Sequence, residues 1–376
     1  MTVRYLKTAL SELLRFSTRA AWASGRVRAF AERFGADLRF FANHQQWWVM
    51  VEFIDAFEDA GGAGVPLCRF RAHELTHLRD SLSDAEMRAS VHDGMLRFHL
   101  ESDKGLVASY PLDADAIAAP LGDIRCVGSF GRNAQTLSRL TANVRNLRNR
   151  YQLTAAAFVL GDDRAWLYTD WHGNIYRYPL GDYIGTPRYF TIALRQFPDR
   201  LLDEYGNVNA VFTDGKVFGM QVNCARYTTY VWQEEALSPS ENPMLQSGVL
   251  APTPELFENA LLLDWRLPIG DLCRDLPRLP QMQNVESRSA LTLDIGREET
   301  VASVNGAELY RTARSSERSA RFKVRVGDFG RLFKDRKVKQ LDDVFLVSYR
   351  DQLAFEVVYR GTWAILGKAY YELLPF

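Results

Sequence analysis

"FRAHELTHLRD", Phe70–Asp80, supports two incompatible readings, and the fold turns on which one holds. His73-Glu74-x-x-His77 puts two imidazoles one helical turn apart, the arrangement in which they ligate zinc while the glutamate serves as general base. A zinc peptidase also needs a third protein ligand. The continuation "HLRDSLS" offers neither the glycine nor the third histidine of the extended motif. His92, His99 and Glu101 follow, but in or beside an alternating hairpin pattern. Arg71 and Arg79 flank the motif, where a helix buried under a catalytic cleft would keep apolar neighbours. Leu75, Leu78 and Leu82 instead mark the one-sided stripe of an amphipathic helix.

That helix is followed by "SVHDGMLRFHL" (Ser90–Leu100), and the same kind of turn recurs along the chain. Its other occurrences are "RFGADLRFF" (Arg33–Phe41), "VLGDDRAWLYTD" (Val159–Asp170), "VFTDGKVFGMQV" (Val211–Val222), "ASVNGAELYRTA" (Ala302–Ala313) and "VSYRDQLAFEVV" (Val347–Val358). Asp-Gly and Asn-Gly between alternating apolar residues signal two-residue hairpins, because both turn positions need positive φ. Six hairpins spaced by about 60 residues indicate an internal repeat.

A helical stripe precedes each hairpin: Leu6/Leu10/Leu13, Leu75/Leu78/Leu82, Leu137/Leu140/Val144/Leu147, Leu194/Phe197/Leu201, Leu272/Leu276/Leu279 and Phe329/Leu332/Phe333. Short strands come before several of them, as in "PLCRFR", "YFTIA" and "ARFKVRV". The repeat unit is therefore a strand, a helix and about three strands. The Pro/Ser-rich stretch Ala236–Pro254 reads as a linker, and Pro111–Asp123 as a weaker break. The expected organisation is an α+β chain of three domains with two units each, over residues 1–118, 119–245 and 246–376.

Composition narrows the setting. With 47% hydrophobic and 24% charged residues the chain is globular and ordered. Lys+Arg and Asp+Glu both number 46, so net charge predicts no partner and the placement of the cations must decide. Cys68, Cys126, Cys224 and Cys273 are scattered singly, which suits reduced thiols in a cytoplasmic protein. No apolar run approaches a membrane span, and "MTVRYLKTALSELLRF" is an amphipathic helix rather than a signal-peptide core.

Opposite the apolar stripes the helices carry cations: Arg15 and Arg19 in the first, Arg139 and Arg145 in the third and Arg200 in the fourth. The fifth offers Arg274 and Arg278, the sixth Arg331 and Lys334. In the second, His73 and His77 fill that slot. Solvated faces usually mix both signs, so one-signed bias over several units points to a surface that tracks phosphates without reading bases.

The repeat resembles the bacterial and phage DNA sliding clamps, the β-clamp family, over essentially the whole chain. "LYTDWHGN" (Leu167–Asn174) is similar to that family's Thr-Asp-Gly-His strand ending at Thr169, Asp170 and His172, and departs from it at Trp171 and Gly173. "FKVRVGDFGRLFK" (Phe322–Lys334) resembles its final strand-to-helix step, and "YYELLPF" (Tyr370–Phe376) its C-terminal segment. The resemblance implies half of a closed ring, with helices inside, sheets outside and a homodimer completing the circle. It implies double-stranded DNA as the sequence-independent partner, a polymerase and a clamp loader as protein partners, no catalytic residues, no metal and no cofactor. Leu373, Leu374, Pro375 and Phe376 would form one wall of a partner-peptide pocket, altered by the charge of Glu372. The alternatives are a clamp-like ring repurposed for repair, mobile-element or defence complexes, and the zinc peptidase. On the clamp reading the protein is cytoplasmic and nucleoid-associated, and His73 and His77 face DNA.

Overall fold

The computed structural model describes residues 5–58, 64–82, 86–100, 105–121, 125–130, 135–161, 163–171, 174–202, 210–213, 218–223, 227–234, 265–268, 276, 282, 284–313, 320–327, 343–349, 352–359 and 362–373. Strands dominate, and the strand–helix–three-strand unit recurs. The first unit holds α1 (Leu6–Arg15), α2 (Arg19–Ala23), β1 (Val27–Phe34), β2 (Asp37–His44) and β3 (Trp47–Phe53). The second is β4 (Val65–Phe70), α3 (Ala72–Ser81), β5 (Met87–His92), β6 (Met95–Leu100) and β7 (Leu106–Pro111). The third is β8 (Arg125–Phe130), α4 (Gln135–Tyr151), β9 (Ala155–Leu160), β10 (Arg164–Trp171) and β11 (Asn174–Gly185).

The fourth unit is β12 (Arg188–Ala193), α5 (Asp199–Leu202), β13 (Ala210–Thr213), β14 (Gly219–Asn223) and β15 (Thr228–Gln233). The fifth contributes β16 (Trp265–Pro268), β17 (Ala290–Ile295), β18 (Glu299–Val304) and β19 (Ala307–Ala313). The sixth contributes β20 (Ala320–Arg325), β21 (Asp343–Tyr349), β22 (Gln352–Tyr359) and β23 (Thr362–Leu373). Leu276 of the fifth stripe is buried. Leu272, Leu279, Phe329, Leu332 and Phe333 lie outside the described residues.

All six expected hairpins are antiparallel strand pairs: β1–β2, β5–β6, β9–β10, β13–β14, β18–β19 and β21–β22. The turn chemistry is that of the sequence. Asp93 and Gly94 have φ of 52° and 69°, and Asn305 and Gly306 have φ of 50° and 85°, as a primed turn requires.

Two further pairing rules follow the repeat. The leading strand of a unit pairs with the first strand after the helix of its sister: β4 with β1, β8 with β13, β12 with β9, β16 with β21 and β20 with β17. The third strand after the helix pairs with the third strand of a more distant unit: β3 with β15 and β11 with β23. Among the described residues, β7 pairs with β6 alone and β19 with β18 alone.

By internal contacts the chain forms two compact units, Met1–Leu167 with Leu180–Asn242, and Tyr168–Pro179 with Pro243–Phe376. The second boundary falls inside the Pro/Ser-rich stretch. In the first unit a continuous antiparallel sheet runs β4–β1–β2–β3–β15–β14–β13–β8. Leu6, Ala9, Leu10 and Leu13 of α1 are buried, and α1 contacts β3. Leu75, Leu78 and Leu82 of the second stripe and Leu137, Leu140, Val144 and Leu147 of the third are buried as well. Each stripe buries its i, i+3, i+4 positions, so the helices keep their polar flanks outward.

The fourth stripe behaves differently. Leu194 and Phe197 are buried, but they precede the helix, which is the short turn Asp199–Leu202. Pro198 has no N–H, and its carbonyl accepts the Leu202 N–H at 3.0 Å, so helical pairing begins only there. The first stripe is also interrupted. Arg19 does not continue α1; it opens α2, whose N-cap Thr18 accepts the Ala21 N–H at 3.2 Å.

Candidate nucleic-acid interface

The "FRAHELTHLRD" helix explains its own motif. Glu74 sits in the first turn of α3 and accepts the Arg71 N–H at 2.7 Å, the reach-back of a capping box. His73 and His77 are exposed on the flank away from Leu75 and Leu78. Ser81 Oγ lies 3.4 Å from His77 Nδ1 and donates to the His77 carbonyl at 2.8 Å. Among the described residues no group of three His, Cys, Asp or Glu side chains is placed to hold a metal ion.

The cation-bearing helices of the first compact unit lie side by side: α3 packs on α1, α1 on α5, and α5 on α4. Arg15 and Arg19 are exposed at the end of α1 and the start of α2. Arg139 is exposed on α4 and Arg200 on α5. Along the five helices nine Lys or Arg stand against four acids, although the whole chain has equal numbers of each. Every one of those acids is engaged. Glu12 accepts from Tyr227 at 2.8 Å, Glu74 caps α3, Asp80 pairs with Arg79 at 2.7 Å, and Asp199 pairs with two arginines.

That last contact involves Arg145, one of the expected DNA-facing cations. Its guanidinium pairs through Nε with the buried Asp199 carboxylate and donates to the Asp199 carbonyl at 3.2 Å. Arg145 is thus half-covered, with much of its charge already neutralised. Arg148, absent from the sequence-based set, joins the same carboxylate at 3.3 Å and 3.4 Å. Its spacing of three residues from Arg145 is a legible signal, since such residues share a helix flank. Arg150, also absent from that set, lies over the Tyr151 ring at 5.5 Å.

Arg274, Arg278, Arg331, Lys334, Leu374, Pro375 and Phe376 lie outside the described residues. Leu373 closes β23, opposite Ala320 of β20.

Comparison with solved structures returns sliding clamps. The chain is similar to the Helicobacter pylori β clamp bound to a DNA ligase peptide, at 12% identity and a TM-score of 0.46, over 98% of this chain and 99% of that one. It is similar to the β subunit of DNA polymerase from Streptococcus pyogenes, at 12% identity and 0.43, over 98% of each chain. A third likeness is to the DnaN sliding clamp of Bartonella birtlesii bound to griselimycin, at 13% identity and 0.43, also over 98% of each. No protein-family profile and no curated protein matches the chain. No helix among the described residues is long and apolar enough to cross a membrane.

Proposed function

We propose that this protein is a DNA sliding clamp: a ring that encircles duplex DNA and tethers a polymerase or another DNA enzyme to it. The observation that carries the reading is the row α3, α1, α5 and α4, biased to positive charge in a chain of zero net charge. Such a row meets phosphates at many weak points and reads no base, so translation along the duplex meets no sequence barrier. No bond is made or broken, and no side chain is assigned a catalytic role.

The strand-pairing rules support ring closure. Sister units exchange leading strands, which supports three domains over 1–118, 119–245 and 246–376. The joints β3–β15 and β11–β23 are of one kind, third strand to third strand. β7 and β19 are the two third strands left with one partner each among the described residues. Pairing β7 of one copy with β19 of a second, twice, closes a six-domain homodimeric circle. Arg15, Arg19, His73, His77, Arg139, Arg145 and Arg200 would face the duplex, joined by Arg274, Arg278, Arg331 and Lys334. Leu373, Leu374, Pro375 and Phe376 would wall the peptide pocket for polymerase and loader, in a cytoplasmic, nucleoid-associated complex.

The test is topological. Loaded on nicked circular DNA, with a loader supplied, the dimer stays bound in high salt and is lost when the circle is linearised. A monomer on sizing, or retention equal on both templates, overturns the ring.

A further inference from the structure

His73 and His77 are left over once α3 is accounted for as a packed, capped helix. Leu75 and Leu78 hold its buried flank, and Glu74 accepts the Arg71 N–H, so the backbone beneath both imidazoles is fixed. Residues four apart on a helix stand one turn apart, with Cβ atoms about 5–6 Å from each other. Both rings are exposed, so neither has to leave a core to meet a ligand. Among the described residues none hydrogen-bonds the His73 ring.

Ser81 sets the tautomer of His77. The Ser81 hydroxyl has one proton, which goes to the His77 carbonyl at 2.8 Å. Toward His77 Nδ1, 3.4 Å away, the same oxygen can therefore only accept. Nδ1 then carries the ring proton and Nε2 keeps the lone pair that binds a metal ion. The neighbouring acids add nothing to the donor set: Glu74 caps the helix, and Asp80 pairs with Arg79 at 2.7 Å. Two neutral imidazoles suit zinc, and poorly suit magnesium or calcium, which take oxygen ligands. Four-coordinate zinc on two protein ligands keeps two positions open.

We propose that His73 and His77 form a two-point zinc chelate, open on its outer side and without a hydrolytic role. Glu74, the general base of the peptidase motif, is committed to the helix cap, and the described residues supply no third ligand. Helix α3 packs on α1 in the cationic row. Resting on the clamp reading, the two open positions take phosphate oxygens of the duplex, so bound zinc adds a contact that reads no base.

The full-length protein, stripped with a chelator and titrated with zinc by calorimetry in the absence of DNA, tests the chelate apart from the clamp reading. His73→Asn and His77→Asn should each weaken zinc binding by about ten-fold or more, because the second ligand on a rigid helix acts as an intramolecular one. His77→Ala/Asp80→His keeps two exposed histidines on α3 but sets them two turns apart, and it should lose as much. Zinc affinity unchanged in either single variant, or kept by the respaced variant, overturns the chelate. Retention on nicked circular DNA is the second arm: zinc should prolong it in wild type and leave His73→Asn/His77→Asn unmoved. A chelate seen by calorimetry with wild-type retention indifferent to zinc overturns the phosphate ligation alone. A protein retained on no circle fails the clamp reading and the phosphate ligation with it, while the chelate stands on the calorimetry.

Discussion

Trp48 and Trp232 stack across the β3–β15 seam with ring centroids 5.9 Å apart and an interplanar angle of 11°. They are direct register partners, one from the first repeat unit and one from the fourth. Beside them Tyr230 donates to Glu52 at 3.0 Å, and burial pushes the Tyr230 phenol well above its ordinary range. The seam is therefore held by side chains as well as by the backbone ladder. Trp232→Ala should cost about 3–5 kcal/mol, a buried aromatic truncation that also loses the stacked pair. Urea unfolding followed by far-UV circular dichroism measures it. A loss below about 1 kcal/mol would mean that the ladder alone holds the joint.

Asp199 carries a comparable burden on the helix side. Its carboxylate is buried between Arg145 and Arg148, which are partly exposed. Asp199→Asn should cost about 1–3 kcal/mol, less than a fully buried pair because the arginines retain solvent. On the clamp reading it should also strengthen DNA binding and steepen its dependence on log salt by up to about one. Unchanged salt dependence in a folded variant would place these arginines away from DNA.

The repeat is legible because local chemistry writes it. Asp93-Gly94 and Asn305-Gly306 name their own turns, and Leu6/Leu10/Leu13 or Leu75/Leu78/Leu82 name the buried flank of a helix. Three things are not legible. The pairing of Trp48 with Trp232 is non-local, and no period in the sequence encodes which third strands meet. The engagement of Arg145 by Asp199 joins two helices far apart in sequence, so periodicity alone ranks that arginine with the other cations. The apolar spacing of Leu194, Phe197 and Leu201 is helical, yet Pro198 confines the helix to the residues after it. For Arg19 the signal is present: Thr18 is a helix N-cap residue, and it restarts the chain as α2.

His44 gives a pH dependence. It is buried, its Nδ1 lies 2.8 Å from Ser17 Oγ, and its pKa is lowered by burial first and by the Arg26 charge second. A histidine with a depressed folded-state pKa takes up more protons when unfolded. Stability is then full above the unfolded value of about 6.5 and falls as pH drops from there through the folded value. Urea midpoints should decline across that window, and His44→Gln should flatten the decline. An equal decline in the variant would assign it to other groups.

The crossing of β8 and β11 has no room for a side-chain methyl. A Cβ on Gly128 would stand 2.4 Å from the Tyr183 hydroxyl and 2.6 Å from the Ile184 carbonyl. That hydroxyl is fixed, lying 2.9 Å from both the Val127 and Thr186 carbonyls. Gly128→Ala should therefore destabilise by about 1–3 kcal/mol, as overpacking does. Adding Tyr183→Phe should recover part of the loss, since it removes the nearest obstructing atom. Thermal unfolding of both variants decides it, and a neutral Gly128→Ala would show that the strands separate at little cost.

His73 and His77 close the question raised by their motif. Both are exposed on α3, the helix that packs on α1 in the cationic row, while Glu74 is committed to capping. On the clamp reading both side chains approach the duplex, so His73→Glu/His77→Glu should weaken DNA retention by setting two carboxylates against the phosphates. The loss should grow at low salt, where charges are least screened. His73→Ala/His77→Ala, which adds no charge, should change retention far less. Since both side chains are exposed, stability should shift by no more than about 0.5 kcal/mol. Retention on circular DNA, wild type against both double variants, is the measurement. A glutamate variant retained like wild type would take α3 off the DNA face while leaving Arg15, Arg139 and Arg200 on it.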